Sequence, residues 1–145
     1  MASKIFNEFK DDLFETYLAS GADLRVALLM SNTTADTAND GIVNLADLTL
    51  DECDSTNYSR QALSSEASNK DDANDRAELD SADITFASLG QDASRTIVGA
   101  LLYEHVDGTA ANDKVVAFYE FSSAVPTTAS EVNLTVNAEG LIQIA

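Results

Sequence analysis

Thr96-Ile97-Val98-Gly99-Ala100-Leu101-Leu102-Tyr103-Glu104-His105, Lys114-Val115-Val116-Ala117-Phe118-Tyr119-Glu120-Phe121 and Glu131-Val132-Asn133-Leu134-Thr135-Val136 read as three alternating apolar runs in the final third of the chain. A short further run, Leu141-Ile142-Gln143-Ile144, follows Asn137-Ala138-Glu139-Gly140. Val132, Leu134 and Val136 recur with period two, which places side chains on one face of a strand. Asp107-Gly108, a frequent hairpin signal, and Val125-Pro126-Thr127 separate the runs. None of the runs carries an obvious catalytic group, so they are expected to build a sheet and not a reaction centre.

Working outward, residues 3–19 read as one amphipathic helix. Ser3 can cap its start, Phe6, Phe9, Leu13 and Tyr17 recur at helical spacing, and Gly21 can end it. The opposite face is assigned Glu8, Lys10, Asp11, Asp12 and Glu15. Phe14 and Leu18 widen the apolar stripe, so the helix either lies across the domain's own sheet or docks on a neighbouring subunit. Leu24-Arg25-Val26-Ala27-Leu28-Leu29-Met30 reads as a central strand, followed by a polar loop from Asn32 to Asp40. Residues 42–50 fit a short helix or an irregular segment, 58–63 a strand, 64–75 an exposed hairpin end, and 77–86 restore apolar residues. The expected architecture is mainly β, a β-sandwich or jelly-roll-like single domain: residues 1–20 form the helix and 21–145 the β-rich body.

The 145 residues fit one domain with a real core. Eight Lys and Arg against 25 Asp and Glu give a formal net charge of -17. That field repels phosphate backbones and anionic membranes, so neither nucleic acid nor a membrane is an expected partner. No apolar stretch approaches the roughly 20 residues that span a bilayer. No basic start with an apolar run and cleavage site marks a secretory signal, which sets an expectation of cytoplasmic synthesis.

Few residues of the chain carry a pattern that chemistry would need. Cys53 is the single cysteine, and the acids in Asp51-Glu52-Cys53-Asp54 are the opposite of what activates a thiolate. His105 is the single histidine, with no recognisable nucleophile or orienting partner; Glu104 beside it points to the other strand face. Asp71-Asp72-Ala73-Asn74-Asp75, with Glu78 and Asp80, clusters oxygen ligands but lacks the turn glycine of a calcium loop, and Lys70 and Arg76 intrude. Asp36-Thr37-Ala38-Asn39-Asp40-Gly41 lacks the downstream Glu. There is no glycine-rich phosphate cradle. No catalytic residue, cofactor-binding residue or metal ligand is assigned, and the chain is not expected to be an enzyme.

The order of elements resembles small structural proteins of tailed bacteriophages, found as capsid decoration, cement or head-fibre components. The resemblance runs through Asp23-Leu24-Arg25-Val26-Ala27-Leu28, Thr56-Asn57-Tyr58-Ser59-Arg60 and Asp83-Ile84-Thr85-Phe86. It continues through Ala100-Leu101-Leu102-Tyr103, Lys114-Val115-Val116-Ala117-Phe118 and Val132-Asn133-Leu134-Thr135-Val136-Asn137-Ala138-Glu139-Gly140-Leu141. It departs at Asn57, where glycine is common, and at Phe86, where tryptophan is common. What it implies is a non-enzymatic virion protein on the capsid surface that binds the major capsid protein and copies of itself, as a homotrimer. The alternative it implies is a head-fibre, tail-fibre or receptor-binding module. The expected partner-contact residues are Phe6, Phe9, Leu13, Phe14 and Tyr17.

Overall fold

The computed structural model describes residues 4–38, 41–90, 95–127 and 131–145. Among them are one α-helix and nine strands in three sheets, so the chain is mainly β with an N-terminal helix. It forms two compact units. One comprises Met1–Ala22, Leu63–Ile84 and Leu134–Ala145; the other comprises Asp23–Ala62 and Thr85–Asn133.

The second unit is organised by strands β1 (Asp23–Met30) and β6 (Thr96–His105), which pair antiparallel at the centre of a four-stranded sheet. Short β2 (Gln61–Ala62) flanks β1, and β7 (Lys114–Pro126) flanks β6, giving the order β2-β1-β6-β7. The last five residues of β1 are all buried, as are Ala100–Tyr103 of β6. Both faces of these strands are therefore covered, so Thr96–His105 does not alternate as expected but is buried continuously from Gly99 to Tyr103.

On one face, Ala27, Leu29, Leu101 and Tyr103 pack with Leu45, and Ala35, Leu48, Leu50, Val115 and Phe118 close over them. Leu45 comes from a 3-10 turn, Leu45–Asp47, held by a capping box between Asn44 and Asp47. In the same unit Tyr58 stacks on Phe86 with ring centroids 5.9 Å apart, and its hydroxyl accepts the Leu28 N–H at 3.0 Å.

Gly99 fixes how β7 lies on β6. A Cβ there would meet the Phe118 ring at 2.5 Å and the Tyr119 carbonyl oxygen at 2.7 Å, and the register shifts between Ile97 and Gly99. The small pair β5 (Ile84–Ala87) and β8 (Glu131–Leu134) is pinned by the Thr85 hydroxyl donating to Asn133 Oδ1 at 2.7 Å.

In the first unit, helix α1 (Asn7–Ala19) packs on β3 (Ala67–Asp71) and β4 (Arg76–Asp80). Strand β9 (Ile142–Ile144) pairs with β4 and completes the sheet β3-β4-β9. Residues 64–75 are expected to be an exposed hairpin end, and they supply both the polar strand β3 and the turn. Asp71 shapes that turn by accepting the N–H groups of Ala73 at 3.1 Å and Asn74 at 3.2 Å. Arg76 then joins the strands, pairing with Asp71 at 3.1 Å, Glu78 at 2.7 Å and Glu139.

The C-terminal runs thus serve three different sheets. Thr96–His105 and Lys114–Pro126 lie in the four-stranded sheet, Glu131–Leu134 pairs with β5, and Ile142–Ile144 pairs with β4. Pro126 ends the edge strand β7 opposite Thr96, a position in which proline is tolerated.

The close approach at Gly99 makes a direct check. Gly99→Ala is expected to lower stability by about 1–3 kcal/mol, the usual cost of overpacking, read from urea denaturation. An unchanged midpoint would contradict the β6–β7 register.

Candidate functional site

The proposed contact residues all fall in or next to α1, and the structure divides them. The helix begins at Asn7, with Phe6 as an extended cap residue whose side chain makes no capping bond. Ser3, the expected cap, lies outside the described residues. Gly21, at φ +80, ends the helix as its sequence position suggests.

Two side chains anchor one face. Phe14 is 7% exposed and Lys10 only 2%. Lys10 does not belong to the solvent face to which the sequence pattern assigns it. Its aliphatic stem is buried while Nζ donates to the Asp75 carbonyl at 2.6 Å and to Asn7 Oδ1 at 3.2 Å, with Asp75 Oδ1 at 3.8 Å. Neighbouring contacts reinforce the attachment to the β3–β4 hairpin. Asn7 donates to Asp72 at 3.1 Å, Lys70 pairs with Glu8 at 2.8 Å, and the Ser68 hydroxyl donates to Asp11.

With that face fixed, a different apolar row faces outward. Phe6 is 71% exposed, Phe9 56% and Leu13 46%, and Ile5 just ahead of the helix is also exposed. Spacings of three and four put Phe6, Phe9 and Leu13 on one stripe. Tyr17 is half-buried at its margin, and Phe14 belongs to the core. Of the five expected contact residues, three therefore form a continuous exposed row. On the far side of that row run Glu8, Asp12 and Glu15, all exposed and again at spacings of four and three.

The other unit carries a hollow of about 340 Å³. Ala35, Ile42, Leu48, Leu101, Val115 and Phe118 line it, and every lining side chain is apolar. Such a lining offers no polar or titratable side chain to act on a reacting molecule.

Several titratable groups outside the helix hold loops. His105 has a partner that the sequence reading did not identify: Nδ1 lies 3.3 Å from Oδ2 of Asp113, across the β6–β7 connection. Asp113 Oδ1 accepts the N–H of Val106 at 2.9 Å, Gly108 at 3.3 Å and Asp107 at 3.4 Å. Burial pushes this carboxyl up, but the Val106 N–H, the imidazole and the two further N–H groups outweigh it and hold it below the ordinary carboxylate value. The signal in the sequence was an acid placed to close back on an Asp-Gly turn.

Glu52 forms a second lock. It pairs with Arg60 through bonds of 2.8 Å and accepts the Tyr58 hydroxyl at 2.7 Å. The Arg60 guanidinium lies 5.0 Å from the centroid of the Tyr103 ring. Cys53 is buried beside it, with its N–H donated to the Leu28 carbonyl at 2.9 Å.

No protein-family model, curated protein or solved structure matches this chain.

The Asp113 lock makes stability depend on pH in a defined direction. Its carboxyl titrates lower in the folded chain than in the unfolded one. Its contribution is therefore complete above the ordinary value of 3.8 and is lost as pH falls below it. Asp113→Asn should cost about 1–3 kcal/mol at neutral pH and flatten the acid limb of a urea-stability profile. An acid limb as steep as that of the wild type would contradict this role.

Proposed function

We propose that this chain is a non-catalytic virion structural protein, a capsid decoration (cement) protein that docks on a capsid lattice through α1. The observation that carries the reading is the row Phe6, Phe9 and Leu13, held toward solvent because Lys10 and Phe14 tie the adjacent face to β3 and β4. An apolar row kept in water by an anchored helix gains free energy when a partner covers it. A decoration protein gains further from repetition, since one modest contact recurs at every equivalent position of a symmetric shell. The surplus of acids supports the reading as well, because it keeps densely covered particles from adhering to one another. The resemblance to small phage structural proteins points the same way. Its implied homotrimer would place copies around a symmetry axis of the lattice.

The test uses particles of a phage that carries this chain, assembled with and without it. Capsids lacking it should release their genome at a lower temperature while portal and tail still assemble. Added wild-type protein should restore robustness; a Phe9→Ser and Leu13→Ser double variant should not. Equal robustness without the chain would overturn the proposal. Few copies per particle together with lost adsorption would instead establish the head-fibre or receptor-binding reading.

A further inference from the structure

The row on α1 is bordered by charge, and the charge specifies what can cover it. Glu8 is partly neutralised by Lys70 at 2.8 Å. Asp12 and Glu15 are exposed and enter none of the ion pairs among the described residues. A partner seated on Phe6, Phe9 and Leu13 therefore brings its own edge against two unpaired carboxylates.

Each Lys and Arg of the chain already faces an acid of its own unit. Of its eight Lys and Arg, four lie in the unit that contains the helix. Lys4 and Lys10 pair with Asp75, Lys70 with Glu8 and Asp72, and Arg76 with Asp71, Glu78 and Glu139. The other four are engaged too: Arg25 with Asp23, Arg60 with Glu52, Arg95 with Asp51 and Asp54, and Lys114 with Glu104. A second copy docking helix to helix would bring another chain at -17 against Asp12 and Glu15.

We infer that the occupant of this face is a different protein, one that presents an apolar groove edged by lysine or arginine. Apolar burial of Phe6, Phe9 and Leu13 supplies the affinity, while Asp12 and Glu15 set orientation and reject copies of the chain itself. Self-association, including a trimer, would then use another surface. The inference rests on α1 being the docking element, as in the proposed function, but does not require the partner to belong to a capsid.

The test uses the full chain and a labelled amphipathic peptide of leucine and lysine, about two heptads long, with a leucine–glutamate peptide as its counterpart. Fluorescence anisotropy should show binding of the lysine peptide and none of the glutamate peptide. Phe9→Ser with Leu13→Ser should weaken binding at least about tenfold, the scale set by losing burial of two large apolar side chains. Asp12→Lys with Glu15→Lys should weaken it similarly. Asp36→Lys with Glu131→Lys makes the same change in net charge away from the helix and should leave binding within about twofold. All these positions are exposed, and circular dichroism checks that each variant folds.

Equal weakening by the two charge-reversal pairs would mean attraction to net charge alone and would overturn the inference. So would binding indifferent to Phe9 and Leu13, or sedimentation showing a wild-type oligomer that Phe9→Ser with Leu13→Ser converts to monomer. The peptide assay contains no capsid. A failure confined to particle reconstitution therefore counts against the virion reading, and a failure confined to the peptide counts against the groove chemistry.

Discussion

The anchoring of α1 by Lys10 and Phe14 is the constraint on which the functional account depends. A helix with apolar residues at positions 6, 9, 13, 14, 17 and 18 has more greasy surface than one packing face can hide. Something must choose which part is covered. The choice is made by a buried ammonium whose hydrogen bonds reach Asn7 and the Asp75 carbonyl, with Asp75 supplying the counter-charge. Removing an ammonium from water is costly unless its donors are met, so the bonds to the β3–β4 turn help fix the rotation of the helix, along with the burial of Phe14. Once that rotation is set, the exposure of Phe6, Phe9 and Leu13 follows.

The same economy of charge recurs in the rest of the molecule. A chain with 25 acids and eight bases has few cations with which to organise its surface. It places them where they close turns and join strands: Arg76 across the β3–β4 hairpin and toward Glu139, Arg60 on Glu52 and over Tyr103, and Arg95 on Asp51. Acids also close loops by accepting backbone N–H groups, as Asp113 does in the β6–β7 connection and Asp71 in the β3–β4 turn. The surplus acids that remain, such as Asp12 and Glu15, are left to solvent and to partners.

Much of the fold was legible because its strands obey simple patterns. The run Thr96–His105 coincides with β6, and the Asp-Gly signal falls in the connection to β7. The helix and its glycine stop were equally plain. What was hidden has a physical cause in each case. Strand β3, Ala-Ser-Asn-Lys-Asp, lies at an edge and buries little, so it carries no alternation to detect. The pairing of β9 with β4 is a long-range contact that no local pattern encodes. Lys10 was misplaced because hydropathy treats a lysine as one polar unit, whereas its stem is apolar and its head needs only a few acceptors. The contact row was half legible: the residue types marked the helix, but only the packing separates Phe14 from Phe9. His105 and Asp113 meet across a hairpin loop, a relation that becomes visible only once the loop closes.

Hydroxyl-radical footprinting of the isolated chain, read residue by residue by mass spectrometry, tests the central claim most directly. The account predicts that Phe6, Phe9 and Leu13 are oxidised readily while Phe14 is protected in the same helix. Protection of Phe9 and Leu13 equal to that of Phe14 in the isolated monomer would contradict it, because the face assigned to a partner would already be covered by the chain itself.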